Sequence, residues 1–241
     1  MEALIFDVFG EYGCFRIPYT TTSVVSYPFP PRTAITGLVA AILGLKKESY
    51  EHIFNEENSQ ISIQVLSPLK KIRVGLNLND TKHGITLKEI SKKTKTPRTQ
   101  IPFEFIKDCN YRIYIWLKDK ELFNKLEEHL SSHTSVYTPY LGVAFGLADF
   151  KFIGKYKTEK KSGEEILIHS VVPKKYINNM IVQSDKKYLV INRVPHYMNN
   201  LREVTKFEDF IYEAEGKPIL FRNIEYDKVK LENEIQHIIF F

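Results

Sequence analysis

The sequence predicts a mixed α+β fold. Three observations carry this expectation: short stretches of alternating apolar and polar residues recur along the chain, only two segments show the i, i+3, i+4 spacing of a helix, and each helical segment is flanked by alternating ones. The 241 residues are 43% hydrophobic and include 16 Phe and 14 Tyr, enough for one large domain, or a domain with a smaller companion, around a packed core.

Leu4 to Phe9 alternates and reads as the first strand, with Gly10 and Gly13 in the turn-rich stretch behind it. A Thr/Ser segment from Thr20 to Ser26 follows. Pro28, Pro30 and Pro31 then enforce extended backbone before Thr33, which is a suitable N-cap. Ile35, Leu38, Val39, Ile42 and Leu43 fall on one face of a helix that Gly44 is placed to end. Ile61, Ile63 and Val65 alternate, and so does Lys71 to Leu78, with Ser67-Pro68 between them, so a hairpin is expected there. After a polar, basic stretch, Tyr111, Ile113 and Ile115 alternate with Arg112, Tyr114 and Trp116 as an aromatic strand. Asp119 caps a second helix whose stripe is Leu122, Phe123, Leu126 and Leu130, and Val143 to Phe152 reads as a further strand.

In order, these elements spell β-α-β-β-α-β, the ferredoxin-like (RRM-like) pattern, over residues 1–153. Residues 154–241 show short alternations at Glu165 to Val172, Tyr188 to Val194 and Pro218 to Ile224 and no long helical stripe, as expected of a small β-rich region. No internal repeat or low-complexity tract is visible.

Composition narrows the function. Cys14 and Cys109 are the only cysteines, which excludes a disulfide framework and a four-cysteine zinc site built from this chain and suits a reducing cytoplasm. The first residues carry Glu2 and Asp7 and lack the basic start and apolar run of an export signal. The longest apolar candidate, Ala34 to Leu45, is broken by Thr36 and Gly37 and falls short of the roughly 18 residues of a span. A soluble cytoplasmic protein without a membrane partner is expected. The net charge is only +5, but Thr81 to Arg98 holds Lys82, Lys88, Lys92, Lys93, Lys95 and Arg98 against the single acid Glu89, six minus one, or +5. Such a run is either a solvated surface or a nucleic-acid contact.

No phosphate-loop or dinucleotide glycine pattern occurs, since Gly142 and Gly146 lack a third glycine and a Lys-Ser/Thr ending. No cofactor is expected. His129 and His133 stand four apart at the end of the second helix without a third ligand nearby, and read as helix-end histidines rather than a metal site. There is no Gly-x-Ser-x-Gly elbow. A metal-free ribonuclease needs only a base, an acid and a cation, and Tyr27, His83, His169 and His196 are the side chains from which one would be assembled.

For nucleic acid the useful residues are Arg16 and Arg32, which flank the Thr/Ser/Tyr segment, and the basic stretch with Arg98, Thr99 and Gln100 at its exit. Arginine forks and hydroxyls contact phosphates and 2′-hydroxyls, and tyrosines stack on unpaired bases. The competing assignment pairs Arg16 and Arg32 with Glu11 or Asp7 on the surface.

The stretch GEYGCFRIPYTTTSVVSYPFPPRTAITGLVAAILGL, Gly10 to Leu45, resembles the N-terminal signature of the Cas-five family, within the RAMP superfamily of CRISPR proteins. The resemblance rests on Phe15-Arg16, the Thr/Ser segment, Pro30-Pro31-Arg32-Thr33-Ala34 and Gly37-Leu38 through Leu43-Gly44. Arg98-Thr99-Gln100-Ile101-Pro102, Asp108 to Ile113 and Pro139-Tyr140-Leu141-Gly142 are similar to later family landmarks, so that about the first 150 residues are covered well.

The resemblance implies a ferredoxin-like domain with a projecting thumb, here residues 79–100, in a type I (Cascade) interference complex. There it implies a non-catalytic subunit that binds the 5′ handle of the crRNA, meets the adjacent backbone subunit and the large subunit, and touches target DNA only indirectly. By that analogy Arg16, Arg32 and Thr33 are handle contacts, and Lys82, His83, Arg98 and Gln100 belong to the thumb and its exit. One branch, of type I-C, also processes precursor crRNA as a metal-independent endoribonuclease with a Tyr, Lys and His site. This chain reads Val143-Ala144-Phe145 where that branch has a Cys-Arg-Glu-like sequence, and it looks closer to the type I-B members.

Overall fold

A computed structural model describes residues 1–20, 22–47, 49–79 and 98–241. It is a mixed α+β structure dominated by antiparallel sheet, with few helices. Lys82 and His83, expected as thumb contacts, lie outside the described residues, and so does the side chain of Arg98.

The first strand, β1 (Glu2–Gly13), outruns the predicted one and is central. It pairs antiparallel on one side with β6 (Arg98–Leu117), Leu4 opposite Ile115, and on the other with β7 (Asp149–Ile168), Phe6 opposite Phe152. β4 (Ser59–Val65) adds to the outer side of β6, while β12 (Ile219–Lys230) and β13 (Ile235–Ile238) extend the sheet beyond β7. The order is therefore β13-β12-β7-β1-β6-β4.

The predicted hairpin is corrected by the pairing. β4 and β5 (Lys70–Asn79) both pair with β6, β4 with Tyr111 to Leu117 and β5 with Arg98 to Lys107. The hairpin is β5–β6, and its two strands run out to Asn79 and Arg98 on either side of the basic segment.

Both helices form where their stripes place them. In α1 (Arg32–Leu43) the residues Ile35, Leu38, Val39, Ile42 and Leu43 are all buried. Pro31, not Thr33, holds the N-cap position, and no side chain caps this end. Extended backbone at Pro31 sets the start instead. At the other end Gly44 adopts φ 73°. Its N–H bonds Ala41 and the N–H of Leu45 bonds Ala40, a Schellman closure that a residue with a side chain would strain. α2 (Lys120–Ser131) is capped by Asp119, whose Oδ1 accepts from the N–H groups of Glu121 and Leu122, and it buries Phe123, Leu126 and Leu130.

Strand alternation then sorts the two sheet faces. Leu4, Phe6 and Val8 of β1, Ile61 and Ile63 of β4, and Tyr111, Ile113 and Ile115 of β6 share one core with both helices. On the opposite face Ile5 and Tyr114 are covered by Val229, Leu231 and Ile238 from β12, β13 and their connection. Asp7 and Arg112, opposite one another in the β1–β6 register, form a two-pronged ion pair at 2.7 and 3.1 Å, and Arg112 also reaches Glu234 at 3.0 Å. Asp7 is thus spent on Arg112, not on Arg16 or Arg32.

The predicted strand Val143 to Phe152 starts only at Asp149, because residues 141–147 form a turn closed by the Tyr140–Leu147 bridge. β7 (Asp149–Ile168) continues past the expected boundary at residue 154, with a bulge at Ile153, pairing first with β1 and then with β12. Beyond it lie β8 (Val172–Pro173), a 3₁₀ turn (Lys174–Asn179), β9 (Met180–Ile181), β10 (Tyr188–Met198) and β11 (Val204–Glu213), and β10, β11 and β8 make a small second sheet.

Candidate nucleic-acid interface

A groove of about 610 Å³ runs along α1, between the segment that follows α2 and the end of β10. One wall is the stripe Thr33, Gly37 and Ala41, spaced four apart and only partly buried. Small side chains here leave the helix backbone approachable. A Cβ on Gly37 would meet only the Tyr50 hydroxyl, at 3.7 Å.

The opposite wall is fixed by the C-terminal carbonyls of α1. Val136 donates its N–H to Ile42 and Tyr137 to Ala41, while Lys125 Nζ reaches the carbonyl of Leu43 at 3.3 Å. With the Gly44 and Leu45 bonds, the last four carbonyls of the helix all have partners. Helix termination thereby pins the backbone that carries Tyr137 and Tyr140, and these two side chains remain 55% and 46% exposed.

Gly142 anchors the same wall. It adopts φ 83°, and a Cβ there would stand 2.0 Å from the carbonyl oxygen of Cys14. Only glycine permits that approach. The N–H of Cys14 bonds Leu141, which seats the turn against β2 (Phe15–Arg16). β2 pairs with β3 (Ser26–Tyr27), and alternation turns Phe15 inward against Tyr111 while Arg16 faces solvent at the groove.

Among the described lining residues Arg16, Lys47 and Arg202 are cationic and none is acidic. The Arg16 guanidinium makes one long bond, 3.4 Å, to the carbonyl of Thr20. Positive charge facing exposed tyrosines suits a phosphate backbone with splayed bases.

The sequence-predicted residues divide. Arg16 and Thr33 line the groove together. Gln100 is exposed on the β5–β6 hairpin opposite Asn77, away from the groove. Arg32 is a correction to the expected surface contact. It is 1% exposed, and its guanidinium donates to the carbonyls of Phe241, Phe54 and Ser59 and to the Ser59 hydroxyl, with its cationic carbon 4.8 Å from the Tyr197 ring. Burial lowers its pKa to about 10, which leaves it charged at neutral pH.

The ribonuclease candidates are placed as follows. Tyr27 is buried and donates its hydroxyl to the carbonyl of Arg193 at 2.6 Å. His196 is buried against Tyr197, Phe210 and Phe241, and burial lowers its pKa to about 3, with Arg32 and Lys206 adding to the effect. His169 accepts the His237 N–H on Nδ1 at 3.1 Å. His83 lies outside the described residues. His129 and His133 turn to different partners, Thr134 and Asp149.

Tyr137, Tyr140 and Arg202 were missed in the sequence. Tyr140 stands within the Pro139-Tyr140-Leu141-Gly142 landmark and was the one with a signal.

The fold and the groove together define a mostly antiparallel α+β protein that turns cations and tyrosines toward one cleft. Residues 3–188 match the family described as CRISPR-associated protein (Cas_Cas5), and the chain belongs to that family. Its fold is similar to that of a CRISPR protein from Archaeoglobus fulgidus, with a TM-score of 0.54, 15% identity and 98% of each chain covered. It is also similar to a chain of a CRISPR RNA-guided surveillance complex, with a TM-score of 0.53, 11% identity, and 90% of this chain and 91% of that one covered. No curated protein matches the chain in sequence.

Proposed function

We propose that this chain is a non-catalytic subunit of a CRISPR-Cas interference complex and holds the single-stranded 5′ handle of the crRNA in the groove beside α1. The observation that carries the reading is the meeting of Arg16, Thr33 and Arg202 with exposed Tyr137 and Tyr140 in one cleft of a Cas5-family chain.

The strand order β4-β6-β1-β7, with α1 and α2 in one core, fits the ferredoxin-like arrangement. In an RRM the face away from the helices is the RNA platform. Here that face carries the Asp7–Arg112 pair and lies under Val229, Leu231 and Ile238, which supports moving RNA to the groove. The β5–β6 hairpin, with Lys82, His83, Arg98 and Gln100, serves in this reading as a thumb at the handle–spacer junction, and the adjacent backbone and large subunits are its protein neighbours.

Processing of precursor RNA is the reading the groove favours less. Of the side chains that would build a metal-free site, His196 is buried and is not among the groove's lining residues, and Tyr27, which borders the groove, is closely packed and spends its hydroxyl on the carbonyl of Arg193. The test is to incubate the purified chain with labelled repeat RNA in EDTA and follow binding and cleavage in one sample. Handle-dependent binding of intact RNA supports the proposal. Discrete cleavage at the 5′ boundary of the handle makes the chain a processing nuclease.

A further inference from the structure

The β10–β11 connection, Asn199 to Glu203, is largely exposed yet held by several hydrogen bonds of its own. Asn199 Oδ1 accepts from the N–H groups of Leu201 at 3.0 Å and Glu203 at 2.9 Å, and its Nδ2 donates to Glu203 Oε2 at 2.8 Å. Two main-chain bonds, Arg202 to Asn199 and Asn199 to Glu203, close the same tip.

Within this frame Arg202 sits at φ 61°, a left-handed conformation that a long side chain rarely adopts and that Asn199 holds in place. Its side chain lines the groove and makes no ion pair among the described residues. Burial raises the Tyr50 phenol above its ordinary pKa and the Arg202 charge opposes that shift, so the guanidinium lies within electrostatic reach of Tyr50, which lines the groove beside Gly37. The preceding residue, Leu201, is 79% exposed, the most exposed of the large apolar side chains described. A free cation over the groove beside an outward leucine, on a locked turn, has the chemistry of a nucleic-acid clamp.

We propose that this tip overhangs single-stranded RNA in the groove, Arg202 contacting a phosphate and Leu201 wedging against one base so that it leaves its stack. The assignment rests on the groove being the RNA site and adds the lip that faces Tyr137 and Tyr140.

The test uses the full chain and repeat RNA carrying 2-aminopurine at successive handle positions, with affinity followed across salt concentrations. Arg202→Asn keeps a residue that tolerates the left-handed turn and is expected to weaken binding about tenfold and to reduce the salt slope by about 0.7, the loss of one phosphate contact on a single strand. Leu201→Ser is expected to leave the slope unchanged, to weaken binding about threefold, and to abolish a fluorescence rise that wild type shows at one position.

If both tip variants bind as wild type while Arg16→Ala weakens binding, the clamp is overturned and the groove reading stands. If all three bind as wild type, the groove reading itself fails. Unchanged RNA affinity with loss of partner-subunit binding in Leu201→Ser would make the tip a protein contact and overturn the clamp.

Discussion

Arg32 and Ser59 are joined inside the core: the guanidinium donates to the Ser59 carbonyl at 3.1 Å and to its hydroxyl at 2.7 Å. The first residue of α1 is thereby tied to the first residue of β4, and through further bonds to Phe54 and Phe241. Replacing Arg32 by Ala would orphan several buried acceptors and leave a cavity. The expected cost is about 3 kcal/mol or more, read as a lower urea midpoint. Arg32→Lys recovers only part of this, because an ammonium cannot span the fork. The fraction that remains folded keeps its affinity for repeat RNA.

Arg16→Ala has the opposite signature. Arg16 is exposed at the groove, so the unfolding free energy read from urea melts stays within about 0.5 kcal/mol of wild type. Affinity for repeat RNA falls by about tenfold at low salt, and the salt slope drops by about 0.7. Titrations at several salt concentrations check both.

Gly142→Ala separates geometry from contact. The new Cβ would stand 2.0 Å from the Cys14 carbonyl, at a φ of 83° that already disfavours a side chain. A loss of about 2 kcal/mol or more is expected. RNA affinity falls too, because the turn carrying Tyr140 must move. A Gly37→Ala control meets only ordinary contact and keeps its stability.

Acid should weaken the fold through His196. Its folded pKa of about 3 lies below the ordinary 6.5, so between those values the unfolded chain holds a proton that the folded chain does not. Stability is full above about pH 6.5 and falls by about 1.4 kcal/mol per unit as the pH drops toward 3. Burial lowers His169 and His237 as well, in the same direction. Urea melts at pH 7.5 and 5.0 should differ, and His196→Leu should reduce the difference by about 2 kcal/mol.

The local signals in the sequence were sound where one element carries its own pattern. The stripe Ile35 to Leu43 and Gly44 gave α1, and Asp119 with Phe123, Leu126 and Leu130 gave α2. What failed was pairing. β4 and β5 both alternate, but alternation names no partner, and both strands lie along the 20-residue β6 rather than on each other. Arg32 failed for a related reason. Its acceptors at Phe54, Ser59 and Phe241 lie 22, 27 and 209 residues away, so nothing local distinguishes it from exposed Arg16. Val143 and Phe145 read as strand because they are apolar, whereas they sit in a turn where Phe145 meets Phe105 edge-on. Arg202 left no local trace, because the groove it borders is built from three distant parts of the chain.

The most direct measurement of the central claim is ultraviolet crosslinking of repeat RNA to the purified chain, with the adducts located by mass spectrometry. The account predicts handle-nucleotide adducts on Tyr137 and Tyr140, diminished by Arg16→Ala. Adducts confined to the β7–β12 strands, with none along the α1 groove, would contradict it.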